Sequence, residues 1–97
     1  MIAKNKDGRK TVTKKILPKY FDDIIRNGKR FELRKDDDNV QPGDFLILKE
    51  WDGEQYTGQR MKWCVSYVLR NVPEYGLKDG YCIIGLGTRL YLTGDKL

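Results

Sequence analysis

From Met61 to Arg70 the chain alternates without a break: Met61, Trp63, Val65, Tyr67 and Leu69 take every second position, with Lys62, Cys64, Ser66, Val68 and Arg70 between them. A period of two describes a long strand with unlike faces, and it places Trp63 and Tyr67, with Tyr81 further on, in a core. Residues 12–17 read as a first strand. Pro18 then presets the first turn of a helix that runs to about Asn27, with Leu17, Phe21, Ile24 and Ile25 on one face. Asn27 and Gly28 end it, as residues that tolerate a left-handed cap. Residues 29–35 form a strand in which Phe31 and Leu33 alternate with Arg30, Glu32 and Arg34. Gln41-Pro42-Gly43-Asp44 meets the requirement for a type II turn, and residues 45–50 follow as a strand. Residues 71–80 form a loop long enough to bind something. Residues 81–86 and 88–92 close the chain as strands separated by Gly87. One helix with five or six short strands predicts a small α+β domain on a curled, mostly antiparallel sheet, a half-closed β-barrel.

The length, 97 residues, suits one domain and excludes multidomain cofactor enzymes. Apolar runs fall far short of the roughly 20 residues of a membrane-spanning helix. The charged first fifteen residues do not resemble a signal peptide, so a cytosolic protein with no membrane partner is expected. The formal charge of +5 is uneven: residues 1–15 carry six basic side chains against Asp7, whereas the remainder balances 13 against 13. Residues 1–11 therefore read as a basic flexible arm before a single domain over 12–97. The arm serves either phosphate contact or solubility.

The chain has no histidine, which removes the usual general base and the Ser/His and Cys/His nucleophile systems. Catalysis would have to run on Lys, Glu, Asp, Tyr or Cys. Cys64 and Cys82 sit in strand-like stretches and read as buried thiols. Without histidine or a C-x-x-C pair, no zinc site is expected. Asp36-Asp37-Asp38 lacks the spacing of a calcium loop and reads as a solvated loop. Gly85-Leu86-Gly87 lacks the helix and second strand of a dinucleotide fingerprint, so neither metal nor cofactor is expected. The densest charged segment is Arg26, Lys29, Arg30, Arg34 and Lys35 around Glu32. Alternation puts Arg30, Glu32 and Arg34 on one face, which is either an exposed charge ladder or the wall of a groove that takes a phosphate or a base edge.

Asn27-Gly28-Lys29-Arg30-Phe31-Glu32-Leu33-Arg34, with Pro42-Gly43-Asp44-Phe45 after it, resembles the G-x-K-x-x-E-x-R signature and the following G-D strand of ASCH domains in the PUA-like superfamily. Lys15-Ile16-Leu17-Pro18, Tyr56-Thr57-Gly58 and Gly80-Tyr81-Cys82-Ile83-Ile84-Gly85 are similar to a small bacterial and phage branch of that family. The resemblance implies a PUA-like barrel with a cleft beside the helix, lined by Lys29, Glu32 and Arg34, whose ligand is RNA or a modified nucleoside. Two departures lower the charge at the rim: Asp38 and Val12 stand where relatives carry arginine and histidine.

Some members of that family hydrolyse N4-acetylcytidine with the signature lysine as nucleophile, here Lys29, which would act as the neutral amine. Glu32 or Glu74 would then move protons. In a regular strand Lys29 and Glu32 face opposite sides, so their cooperation requires a bulge or a strand that starts after Lys29. Tyr56 and Tyr75, with Trp51, are the loop aromatics, serving either as base-stacking platforms or as packing over the barrel. The expected function is an RNA- or nucleoside-binding module with Lys29, Glu32, Arg34, Arg30, Tyr56 and Tyr75 as ligand-binding residues. The alternatives are an amidohydrolase of acylated cytidine and a protein-interaction domain with no nucleotide ligand.

Overall fold

The computed structural model describes the backbone of residues 2–4 and residues 7–94 in full. Strands β1 (Ile2–Lys4) and β2 (Lys10–Ile16) lead into helix α1 (Pro18–Arg26). Strands β3 (Phe31–Lys35), β4 (Phe45–Trp51), β5 (Tyr56–Arg70) and β6 (Tyr81–Thr93) follow, with a 3-10 turn over Pro73–Tyr75. They form one sheet in the order β1-β2-β4-β5-β6-β3. Its sense is mixed: β2 runs parallel to β4, and the other neighbours are antiparallel. A parallel neighbour needs a crossover, here supplied by α1 and β3. The sheet is curled but does not close into a barrel. The two final strands expected around Gly87 are one continuous β6.

The sheet begins earlier than Val12. Ile2–Lys4 pairs with Lys10–Val12, so over those residues the expected free arm is part of the sheet edge. Met1, Asn5 and Lys6 lie outside the described residues. No helix among the described residues is long and apolar enough to cross a membrane.

The inner face of the sheet and one face of α1 share a core of Val12, Ile16, Phe21, Ile24, Leu46, Leu48, Met61, Trp63, Val65, Ile84 and Leu86. Leu17, expected on the helix's buried stripe, is exposed at its start. The alternation in β5 holds through Val65 and then breaks. The register against β6 shifts at Cys64/Val65 and again at Val65/Tyr67, a bulge that reverses the faces. Tyr67 is consequently 63% exposed rather than in the core, while Val68 packs inward. Gly85 and Gly87 stand at this bulge. A Cβ at Gly87 would lie 3.0 Å from the Ser66 Cβ and 3.1 Å from the Cys64 carbonyl oxygen. The Gly85-Leu86-Gly87 spacing thus serves strand packing.

Asp44 joins three segments. Its Oδ1 accepts the Lys10 N–H (2.9 Å), and its Oδ2 accepts the Gln41 N–H (2.9 Å) and lies 2.8 Å from Lys10 Nζ. The Asp44 N–H closes the Gln41–Asp44 turn on the Gln41 carbonyl (3.0 Å). Gly43 holds φ 91° at the third position, as the type II turn requires. Burial opposes ionisation of Asp44, but the hydrogen bonds from Lys10 and Gln41 outweigh it and hold the carboxyl below its ordinary range.

Two outcomes are expected. Gly87→Ala should cost about 1–3 kcal/mol, seen as a fall in Tm with the fold retained by circular dichroism. The Asp44 contribution is present above the unfolded carboxylate value near about 4 and is lost as pH falls through the depressed folded value. Asp44→Asn should therefore lower stability at neutral pH and lose less on acidification than the wild-type chain, as read by denaturant titrations at several pH values.

Candidate nucleoside cleft at the open seam

The sheet fails to close between β2 and β3, and that gap is the candidate site. β1 covers only Lys10–Val12 of β2, so the remainder of that edge is open. On the other side, the Leu86 N–H bonds the Arg30 carbonyl (2.9 Å) and the Asp36 N–H bonds the Gly80 carbonyl (2.8 Å). The alternate residues Phe31, Leu33 and Lys35 therefore turn their backbone groups to the free edge. Arg34 spans the two edges: its Nη2 donates to the Lys15 carbonyl at 2.5 Å. A cleft of about 550 Å³ lies along this seam, walled by Leu17, Tyr20, Phe31 and Leu33, with Lys15, Lys29, Glu32 and Arg34 among its polar groups. That volume is in the range of small-molecule sites.

The orientation of β3 reverses the simple expectation for a charged strand. Glu32 is buried, with 4% exposure, whereas Phe31 and Leu33 are 47% and 58% exposed. Burying a carboxylate demands partners, and Glu32 has two. Lys29 Nζ meets Oε1 at 2.5 Å, while Arg34 Nε donates to Oε2 at 2.9 Å, with Nη2 also 2.9 Å away. Lys29 reaches Glu32 because β3 starts only at Phe31, the condition the sequence set for their cooperation. Asn27 caps α1 with φ −114°, and the left-handed residue is Gly28 alone (φ 72°). The chain turns there, the Lys29 N–H bonds the Asp23 carbonyl (3.1 Å), and Lys29 Nζ also donates to the Phe31 carbonyl (2.7 Å).

These bonds leave hydrogen-bonding capacity for a ligand. Lys29 has used two of its three N–H donors, the Arg34 Nη1 pair is not engaged by them, and Glu32 Oε1, met by Lys29, keeps an acceptor site. Tyr20 and Phe31 flank the Lys29 ammonium, with ring centroids 5.5 and 5.0 Å away.

The other expected site residues lie elsewhere. Arg30 alternates with Glu32 and Arg34 through its bond to Leu86 but does not line the cleft. It precedes β3, donates to the Ile24 carbonyl at the end of α1 (2.7 Å) and covers the Trp63 ring at 5.2 Å. Glu74 and Tyr75 belong to the 3-10 turn, with Tyr75 85% exposed, and neither lines the cleft. Tyr56 lies beyond Lys15, edge-on to Trp51 at 5.0 Å. Sequence reasoning did not single out Leu17, Tyr20 or Lys15 as lining residues. The available signal was Tyr20, an aromatic standing off the buried Phe21/Ile24 stripe.

Asp36-Asp37-Asp38 is tied down rather than left to solvent. Arg70 Nε meets Asp36 at 2.6 Å, and Lys14 Nζ lies 3.1 Å from Asp37 and 2.5 Å from Asp38. Cys64 and Cys82 are free thiols, Cys64 only half-buried. Burial, with Asp36 nearby, pushes the Cys82 thiol up, away from the thiolate a nucleophile needs. Among the described residues no group of three or more metal-ligating side chains is assembled.

A family model described as "Domain of unknown function (DUF3850)" matches residues 6–86. A relative from Escherichia phage P2, the "Uncharacterized 12.9 kDa protein in GpA 3'region", is 38% identical over 66 residues. That match takes in 57% of this chain and spans 61% of the relative's length.

Removing one partner of the buried set is expected to cost more than the set contributes, because a charge is left behind. Glu32→Gln should destabilise the chain by about 2–4 kcal/mol, read by denaturant unfolding. Lys29→Met should cost less, because Arg34 still pairs with the carboxylate.

Proposed function

We propose that this chain, which belongs to the DUF3850 family, is a cytosolic PUA-like module whose seam cleft binds a nucleoside or one unpaired nucleotide of RNA. One observation carries the reading: a hydrogen-bonding triad of Lys29, Glu32 and Arg34 lies in a cleft walled by Tyr20, Phe31 and apolar side chains. The aromatic walls suit the flat faces of a base. The spare N–H groups suit its carbonyl and ring nitrogen acceptors, and the spare Glu32 Oε1 acceptor site suits an exocyclic amine. The resemblance of residues 27–34 to the ASCH signature supports the same cleft, and two free cysteines fit a reducing compartment.

A second reading, amide hydrolysis on an acylated cytidine, draws on the contact between Lys29 Nζ and Glu32 Oε1. There the neutral amine that attack requires would donate its two N–H groups to Glu32 and Phe31 and direct its lone pair into the cleft.

Calorimetric titration with cytidine, N4-acetylcytidine and uridine is the test. Nucleoside binding is expected to vary little with salt and to weaken by about tenfold or more in Arg34→Ala. Affinity unchanged in both Arg34→Ala and Glu32→Gln would sink the cleft reading. N4-acetylcytidine should be recovered intact, whereas cytidine release that stops in Lys29→Arg would establish the hydrolase.

A further inference from the structure

On the outer face of the sheet, Lys15 pairs in register with Lys49, and Lys49 with Arg60. Three cations on three adjacent strands thus stand in one row at the strand spacing of about 4.8 Å. Like charges directly opposite one another are destabilising. The fold does not relieve this row with acid: among the described residues, none of these side chains, nor Lys62 in the neighbouring row, has a carboxylate within ion-pair distance. The one acid of β4, Glu50, points to the inner face and is buried.

Each of the four cations lies over an aromatic ring instead. Lys15 covers Trp51 at 3.9 Å, Lys49 covers Tyr56 at 4.4 Å, Lys62 covers Phe45 at 4.7 Å, and Arg60 covers Tyr91 at 5.9 Å. Among the described residues, those lining a hollow of about 330 Å³ beside Lys49, Tyr56 and Arg60 include no acid.

We propose that this outer face is a binding platform for single-stranded nucleic acid, in which the Lys15–Lys49–Arg60 row turns from the rings it covers to hold successive phosphates and the ring faces so uncovered stack bases. It is distinct from the cleft and does not depend on the cleft having a ligand. Charge complementarity selects a polyanion, and the interleaving of rings with cations selects one that carries flat aromatic groups along its length. A lipid surface would ask for protruding apolar side chains that enter the acyl layer, whereas here the rings lie under the cations.

The test is fluorescence anisotropy of the full chain with a labelled oligouridylate of about fifteen nucleotides, between about 50 and 200 mM salt. Engaging three or four phosphates predicts a log–log salt slope of about −2 to −3. The double variant Lys49→Glu/Arg60→Glu should raise Kd by about tenfold or more while leaving cytidine affinity as in the wild type, because neither residue lines the cleft. If the double variant binds as wild type, or if vesicles of phosphatidylserine and phosphatidylcholine bind and the oligonucleotide does not, the proposal fails.

A neutral pair, Lys49→Gln/Arg60→Gln, guards against simple misfolding. It should weaken oligonucleotide binding while raising Tm at low salt, because it removes the repulsion. A lowered Tm would show that the row is a structural element and overturn the proposal. Weakened oligonucleotide binding in this neutral pair with nucleoside binding at the cleft intact would separate the two surfaces.

Discussion

The open seam depends on one buried carboxylate. Glu32 lies in the last-paired strand of a sheet that does not close, and its two partners come from either side of it along the chain: Lys29 from the turn after α1, Arg34 from further along β3. Arg34 then reaches the backbone of β2. Carboxylate, guanidinium and carbonyl form the bridge that a further pair of ladder hydrogen bonds would supply in a closed barrel. A side-chain bridge leaves space that a ladder would fill, so the interaction that holds the gap also keeps it open as a cleft.

The second constraint is the distribution of charge. Beyond the N-terminal excess the sequence is balanced, yet in three dimensions the balance is local and lopsided. Glu32, Asp36, Asp37, Asp38 and Asp44 are each held by a cation on the inner or loop side. Lys15, Lys49, Arg60 and Lys62 remain on the outer face with aromatic rings as their neighbours. Among the described residues, pairing acids on the inner and loop side leaves these four cations together on the outer face.

Local signals in the sequence were legible, and non-local ones were not. Pro18 with its apolar stripe located α1, Gln41–Asp44 located the type II turn, and the Lys29-x-x-Glu32 spacing already stated the condition under which the two side chains meet. Arg30 falls outside the cleft because its guanidinium turns to the Ile24 carbonyl and the Trp63 ring, partners distant from β3 in sequence. Tyr67 was misplaced because a bulge is a property of two strands, created where β5 passes Gly85 and Gly87, and no periodicity within β5 announces it. Lys14 and Arg70 lie 23 and 34 residues from the acids they bind, so the acidic run looked unattended. The cationic row is invisible for the same reason: Lys15, Lys49 and Arg60 become neighbours only through register.

Lys15 is where the two surfaces meet, since it borders the cleft and its ammonium covers Trp51 at the end of the cationic row. Their electrostatics are opposite in kind. In the cleft, positive groups are spent on Glu32 and on backbone carbonyls, so what remains is directional hydrogen bonding against aromatic walls, suited to an uncharged planar group. On the outer face the charge is unspent and non-directional, suited to a backbone that repeats its charge whatever the sequence. A nucleic-acid strand offers both components, bases and phosphates. The gap and the outer face belong to the same six-stranded sheet, so one core positions both.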